Sequence, residues 1–306
     1  MIKHSVSICI PAYNEEKNLK KLLDALLKQK TQKAHISKIG IVSSASTDNT
    51  VSIVEEYMKK DSRIMLIRQE KREGKASAIN AFLRSTNDHI IVIQSADTLP
   101  TDETIEHLCV PIIENDGIGM TGGAPYPIDD PEKFLGYIIH AWWWFHRNIP
   151  RFGEIIAFRN ILGELSTTTA VDEAYIQAKI VQKKLKVVYV DKAVVFNKGA
   201  DSVTDLIKQR RRVFNGHARL MQEENVHIDN MTKSSLRLLL FKYEMKNLKE
   251  FMWFTCGIGI EAWARILGAY DLKIKGHNPF IWDTAKSTKN LVVKFRKGAK
   301  SNDIVS

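Results

Sequence analysis

Several short stretches carry residues that could do chemistry together. Ser95-Ala96-Asp97-Thr98 sets a carboxylate just past an apolar run, where it can hold a hard divalent cation together with a diphosphate. A turn or a cap would use an isolated aspartate in the same place. Asp172-Glu173 follows three threonines at the start of a helical pattern; adjacent carboxylates there either complement the helix dipole or supply a general base. Gln209 and Arg212 stand three apart and share a helix face, inside a run of three consecutive arginines that repel one another unless an anion is near. Gly74-Lys75 opens a further helix, and a helix start with a lysine favours a phosphate. Pro11-Ala12-Tyr13-Asn14-Glu15-Glu16 offers a ring, an amide and carboxylates. These can stack on a base and bond its edge, or simply turn the chain into a helix.

The elements that must position these groups follow a regular order. Val6–Ile10, Ile39–Val42, Ile64–Ile67 and Ile90–Ile93 are short apolar runs that read as buried strands, the first closed by Pro11. Between them lie helical patterns. Leu19, Leu22, Leu23, Leu26 and Leu27 form one stripe, and Val51, Val54, Tyr57 and Met58 another, opened by capping groups at Ser46, Thr47 and Asp48. Ala76, Ile79, Ala81 and Leu83 lie on a third helix. Strands alternating with helices imply a mostly parallel sheet, and such sheets bind ligands beyond the carboxyl ends of their strands. Past residue 100 the pattern loosens. Gly117–Pro127 reads as a loop and strand edge, Asp172–Lys184 as a helix, and Lys186–Val190 and Ala193–Phe196 as strands. Ser202 and Asp205 make a capping box at the head of a long basic helix.

Composition bounds the rest. With 306 residues, 44% hydrophobic and 26% charged, the chain is neither disordered nor collagen-like nor wholly membranous. Cys9, Cys109 and Cys256 are far apart and read as buried thiols in a reducing compartment. No secretory leader is expected, because Glu15 and Glu16 break the first apolar stretch. Phe134–His146, the longest uncharged apolar stretch, has 13 residues where a membrane span needs about 20. The net charge of +10 is uneven: residues 1–200 hold 26 basic and 24 acidic side chains, residues 201–306 hold 19 and 11. An excess of +8 in the last third points to an anionic partner there, or to a solvated basic face.

Taken in order over residues 5–220, these motifs resemble glycosyltransferase family 2, whose catalytic domain has the GT-A fold. The stretch Val6–Glu16 is similar to the family's first strand and nucleotide loop, Ser46-Thr47-Asp48-Asn49-Thr50 to its second-strand motif, and Gly74–Asn80 to the helix before the metal-binding strand. Ser95-Ala96-Asp97 stands in the place of the Asp-x-Asp motif, Asp172-Glu173 in that of the Glu-Asp base motif, and Gln209–Val213 resembles Gln-x-x-Arg-Trp. The departures have consequences. Ser43-Ser44 replaces an Asp-Asp pair and removes the usual carboxylate contact to the base, Ser95 weakens a ribose contact, and Val213 for tryptophan argues against a processive polymerase.

The resemblance implies an α/β protein with a GT-A type, mostly parallel sheet flanked by helices. A Rossmann-like nucleotide-sugar half spans about 1–100 and an acceptor half about 101–225, with 226–306 as a helical, basic appendage. It implies metal-dependent, inverting transfer of a hexose from a UDP- or GDP-sugar to a hydroxyl of a lipid or lipid-linked saccharide. In that scheme Pro11, Ala12, Tyr13, Glu15, Ser44, Lys75, Ser95, Asp97, Gln209 and Arg212 contact the donor, and Asp97 holds Mg²⁺ or Mn²⁺. Glu173, with Asp172 beside it, is the base, and Gly122, Gly123 and Trp143 meet the acceptor. Trp142, Trp143 and Trp144, about 100° apart on a helix, cannot all enter one core. Phe251–Ile266 and the acid-free basic run Lys286–Lys300 have the composition of a peripheral association with an anionic cytoplasmic membrane face. Packing of Phe251–Ile266 back on the catalytic domain is the alternative. The runner-up functions are a polyprenyl-phosphate glycosyl synthase, whose acceptor phosphate needs no base, and a non-catalytic nucleotide-sugar or nucleic-acid binding module. No nucleic-acid partner is expected, because the tryptophans are not interleaved with the basic tail as stacking platforms.

Overall fold

The computed structural model describes residues 4–148, 152–224 and 242–275. Its first part runs β1 (His4–Ala12), α1 (Glu16–Leu27), β2 (Ala34–Ser44), α2 (Thr50–Met58), β3 (Ile64–Gln69), α3 (Lys75–Leu83), β4 (Ile90–Gln94). Then come β5 (Thr98–Pro100), α4 (Thr104–Glu114), β6 (Ile118–Pro127), α5 (Phe134–Asn148), β7 (Ile155–Arg159), α6 (Asp172–Gln182), β8 (Lys186–Asn197), α7 (Val203–Glu224) and α8 (Leu248–Tyr270). The strands form one sheet in the order β3-β2-β1-β4-β7-β6-β8-β5. Pairing is parallel from β3 through β4 and between β6 and β8, whereas β7 runs antiparallel to both its neighbours and β5 antiparallel to β8. The expected α/β, mostly parallel sheet flanked by helices is therefore present.

Strand β4 is apolar from Ile90 to Ile93 because both sheet faces are covered. Ile90 and Val92 enter a core with Leu19, Leu22, Leu23 and Leu26 of α1. Ile91 and Ile93 face the other way, onto Ala76, Ile79 and Phe82 of α3 and Ile176 and Ile180 of α6. Full burial of each such side chain contributes about 1.5–3 kcal/mol, so the sheet fixes the strand ends firmly. β1 runs on through Pro11, which pairs with Val42 of β2. Pairing with β4 ends at Cys9, so the N–H that proline lacks interrupts no ladder on that side.

Several expectations are corrected. Gly117–Pro127 is no loop or strand edge; it is β6, an interior strand between β7 and β8, buried over most of its length. Its glycines follow from close packing: a Cβ on Gly122 would lie 2.0 Å from the Phe152 ring. Ile155–Arg159, which no periodicity marked, is the strand β7. The runs at 186–190 and 193–196 are one strand, β8, whose register shifts opposite Gly122–Ala124. Cys9 and Cys109 are buried as expected, but Cys256 is exposed on α8.

The helical appendage does pack back. Asn247 caps α8 by accepting from the Glu250 N–H (2.9 Å). Trp253, Phe254 and Ile260 pack with Phe134, Tyr137 and Ile138 of α5, and Gly268 lies against Phe214 of α7. The opposite face of α8 is exposed. Among the described residues no helix is long and apolar enough to cross a membrane. The boundary expected near 225 and the basic run 286–300 lie outside the described residues.

Candidate active site

At the carboxyl ends of β1 and β2 two loops are clamped together. Asn14 adopts the left-handed region (φ 54°), which asparagine tolerates. Its N–H donates to Ser46 Oγ (3.1 Å) and its Oδ1 accepts from the Thr47 N–H (2.8 Å). The Glu15 N–H donates to Thr50 Oγ1 (2.8 Å) and the Glu16 N–H to Asp48 Oδ2 (3.1 Å), while Glu16 Oε2 accepts from the Asn49 N–H (3.1 Å). Thus Ser46–Thr50 is more than a helix cap: it fixes the loop that carries Tyr13. The Arg72 guanidinium lies 4.1 Å over the Tyr13 ring. Beside it, the buried Ser44 Oγ and Gln69 Oε1 have no hydrogen-bond partner among the described residues, though Ser44 and Gln69 face each other in register. Buried polar atoms of this kind call for a partner.

A second, charged cluster lies at the head of α3 and α6. Gly74 at φ 90° turns the chain into α3, a conformation in which side chains with a Cβ are strained. Lys75, the first residue of α3, reaches Asp172 Oδ2 (3.1 Å) and pairs more closely with Glu173, the first two residues of α6. Burial lowers the Lys75 pKa, but the two carboxylates more than offset this and hold the ammonium above its usual range. Burial also pushes Asp172 up to about 6 although Lys75 opposes it. For Glu173, Lys75 outweighs burial and keeps the carboxylate below its usual range, hence ionised. Arg212 of α7 enters the same cluster; burial brings it down to about 10 despite Asp172, Asp97, Glu173 and Glu154. Glu154, just before β7, is pushed up to about 8 by burial and by the charges of Asp97 and Glu173. Its carbonyl accepts from the Ser95 N–H (2.9 Å), which fixes it beside the Asp97 turn.

The electrostatics fit a cation. Four carboxylates, Asp97, Glu154, Asp172 and Glu173, share two cationic side chains, Lys75 and Arg212, and burial together with the charges of Asp97 and Glu173 pushes Glu154 up to about 8. Among the described residues no three carboxylate, histidine or cysteine groups converge as a ready-made cage. A site of one or two carboxylates completed by substrate phosphate oxygens is the ordinary arrangement for Mg²⁺.

A cavity of about 90 Å³ adjoins this cluster, lined by Asp97, Glu154, Trp143, His146, Gln209 and Arg210. Such a space holds several waters and not a whole nucleotide sugar. With its amide oriented to suit both neighbours, Asn197 accepts from Trp143 Nε1 (3.2 Å) and donates to the Tyr126 carbonyl (3.3 Å), fixing the indole. The three tryptophans take three partners. Trp142 lies under the Arg210 guanidinium (5.0 Å), Trp143 lines the cavity, and Trp144 meets Tyr243 (5.2 Å). The three arginines do likewise. Arg210 pairs with both oxygens of Glu261 (2.7 and 3.1 Å), Arg211 with Asp271, and Arg212 with the acidic cluster.

Residues 7–171 match the family model described as Glycosyl transferase family 2, more than half of the chain. The protein belongs to that family. Over 134 residues it is 31% identical to Glycosyltransferase GlyG of Streptococcus pneumoniae, covering 44% of this chain and 43% of the relative. Over 97 residues it is 34% identical to Dolichyl-phosphate beta-glucosyltransferase ALG5A of Trichomonas vaginalis, 30% of each chain. The chain thus matches less than half the length of these relatives. Among solved structures it shares its fold with the mannosyltransferase PcManGT from Pyrobaculum calidifontis, in complex with GDP-Man and Mn²⁺ (TM-score 0.62, 21% identity, 89% of this chain and 88% of that one). A second is glucosyl-3-phosphoglycerate synthase from Mycobacterium tuberculosis, with Mn²⁺, UDP and phosphoglyceric acid (TM-score 0.51, 16% identity, 71% and 78%). The GT-A type fold expected of a family 2 chain is the fold it has.

Within this family 2 domain the expected site residues divide into groups. Asp97, Gln209 and Trp143 line the cavity, and Lys75, Asp172, Glu173 and Arg212 form the charged cluster next to it. Pro11, Ala12, Tyr13 and Ser44 lie at the strand ends of the clamp, where the Glu15 side chain, just before α1, accepts from Asn18 Nδ2 (3.2 Å). Ser95 turns the chain toward Asp97: its carbonyl accepts from Thr98 Oγ1 (2.9 Å). Gly122 and Gly123 do not join the cavity lining; both are buried in β6, and a Cβ on Gly123 would press on Ile155 and the Ala193 carbonyl. Glu154 was missed. The available signal was a lone acid immediately before the apolar run Ile155–Phe158, the same signature that marked Asp97 after β4. The family match ends at Val171, so Asp172 and Glu173 stand on geometry and not on that match.

Proposed function

We propose that this family 2 protein transfers a hexose from a UDP- or GDP-sugar, with inversion, to a hydroxyl of a lipid or lipid-linked saccharide at the cytoplasmic face of a membrane. The observation that carries the reading is the convergence of Asp97, Glu154, Asp172, Glu173, Lys75 and Arg212 beside one cavity. Asp97 and Glu154 are the residues to hold Mg²⁺ or Mn²⁺, which when bound offsets the charge of the donor diphosphate. Tyr13 is a platform for the base, and Ser44 with Gln69 offers neutral polar contacts to its edge. Arg212 and Lys75 place positive charge where the leaving diphosphate gains negative charge. The acceptor oxygen attacks the anomeric carbon, its proton passes to Glu173, and the bond to the diphosphate breaks.

Similar proteins support the donor and acceptor classes: GDP-Man or UDP is bound in two solved neighbours, and ALG5A is a dolichyl-phosphate beta-glucosyltransferase. That last likeness favours a second reading, in which the acceptor is a polyprenyl phosphate. A carboxylate held below its usual pKa by Lys75 is also a weak base, which suits an acceptor that needs none. Thermal stabilisation across a panel of nucleotide sugars, with and without Mn²⁺ or Mg²⁺, tests the donor and the metal together. Stabilisation by one donor only when metal is present is expected. Transfer from that donor to hydroxyl and phosphate lipids then separates the two acceptors. No metal-dependent stabilisation by any nucleotide sugar would overturn the proposal.

A further inference from the structure

Helix α8 has two apolar faces, and only one is used. Gly257, Ala264 and Gly268 are buried against α5 and α7. On the other side Leu248, Phe251, Met252, Ile258, Trp263, Ile266 and Tyr270 are all exposed, and Ile274 continues the series one turn beyond. Of the 13 large apolar side chains exposed among the described residues, these make up 8, so the exposure is a single patch and no scatter. At 100° per residue the seven on α8 fall within an arc of about 140°, a stripe along one side of the helix. At 1.5 Å per residue it runs for roughly 35 Å.

The stripe is free of acids because every acid of α8 is turned away and occupied. Glu261 pairs with Arg210 and Arg265, and Glu250 accepts from the Lys246 N–H (2.8 Å). Asp271, just past the helix, pairs with Arg211. Lys249 lies at one edge of the stripe and Arg265 at the other, and Lys273 follows at its end. The sequence then supplies Lys286, Lys289, Lys294, Arg296, Lys297 and Lys300 with no acid between them. An apolar stripe bearing Trp and Tyr, edged by cations and followed by a basic run, matches the headgroup layer of an anionic bilayer. A second copy of the same stripe would set these cations against one another, so a lipid surface is the better occupant.

We infer that the outward face of α8 is a monotopic membrane-binding surface for anionic lipid, lying in the interface plane. It would keep the domain on the surface that holds the acceptor, and to that extent it rests on the proposed function; the surface itself does not depend on catalysis. Lipid composition and salt enter as linked consequences: the attraction of each Lys or Arg to anionic headgroups fades as salt shortens the Debye length.

The test is flotation of the full chain with phosphatidylcholine vesicles, with and without phosphatidylglycerol, over a salt series. Binding is expected only with the anionic lipid and at low salt. Trp263→Glu/Ile266→Glu should weaken it by at least about 100-fold, since each replaced side chain alone is worth about 1.5–3 kcal/mol when buried. Met58→Glu, on an exposed apolar residue elsewhere, should change nothing. Circular dichroism and metal-dependent nucleotide-sugar binding of the double variant should match the parent, which separates a lost surface from a lost fold. Absence of vesicle binding at low salt would overturn the inference, as would binding that the double variant retains. So would sedimentation showing a dimer that the double variant dissociates. Failure of nucleotide-sugar binding in the parent, with vesicle binding intact, would count against the proposed function alone.

Discussion

The clamp at β1 and β2 and the cluster at α3 and α6 hold their residues by opposite means. Around Asn14 and Ser46–Thr50 the contacts are mostly to backbone N–H groups, at 2.8–3.1 Å, and partly exposed. Around Lys75 and Arg212 they are charge on charge, with water largely excluded. The first arrangement is held mainly through backbone groups, so it depends little on the charge of what is bound. The second is balanced only for one set of charges, so adding or removing one changes every other. A binding platform needs the former, and a centre where charge develops and departs needs the latter.

Asp97→Asn should break the contrast most completely. Transfer and metal-dependent donor binding should fall to background, while the melting temperature stays near the parent's because Asp97 lies past a strand end, outside the core; donor titration with and without Mn²⁺ reads both. Next is Glu173→Gln, which should slow transfer by about 10²–10⁴-fold with donor affinity nearly unchanged. Asp172→Asn is its control: a larger loss there moves the role of base to Asp172, and full activity in both variants identifies a phosphate acceptor.

Lys75→Met should act on charge and stability at once. Leaving two buried carboxylates without their cation is expected to cost about 3–5 kcal/mol in denaturant unfolding. Because Lys75 is what holds Glu173 low, the acid limb of the pH–rate profile should move to higher pH. Glu154 gives a smaller effect with a definite sign. Folded, it keeps its proton up to about pH 8, whereas its unpaired value is 4.5. The folded state therefore binds more protons across that window, and stability of the metal-free protein should fall as pH rises through it. Glu154→Gln should flatten that slope, and Mn²⁺ at pH 8 should restore stability in the parent but less in the variant. Melting curves from pH 5 to 8 decide this. Smallest is Asn14→Ala at the clamp: loss of its two side-chain hydrogen bonds, to the Thr47 N–H and to Thr47 Oγ1, should raise the donor KM roughly tenfold with kcat little changed.

The same contrast explains what was legible in the sequence. The four parallel strands and their helices were readable because each is apolar with its own period, and Asp97 and Lys75 sat at their ends; Glu173 and Arg212 were marked instead by the paired acids opening α6 and the arginine run of α7. β6 and β7 were not. β6 is written in glycines and a proline because Phe152 and Ile155 crowd it, so its composition imitates a loop. β7 is a five-residue strand with nothing to distinguish it from a helical fragment, and Glu154 was hidden with it. The Arg210–Arg212 run was read as a demand for an anion. For two of the three, the anions are Glu261 and Asp271, about 50 and 60 residues further on, a pairing that only the folded chain displays.

Those three arginines also make α7 an axle. They project at about 100° steps from one helix; two are gripped by α8 and its following turn, and the third delivers its guanidinium to the acidic cluster. A twist of the axle by about 10° carries a group some 6 Å from its centre through about 1 Å. A misplacement of that size in a reacting site can cost on the order of 10²-fold in rate. Through Glu261 and Asp271, neither of which lines the cavity, the seating of α8 sets the angle at which Arg212 meets its charges.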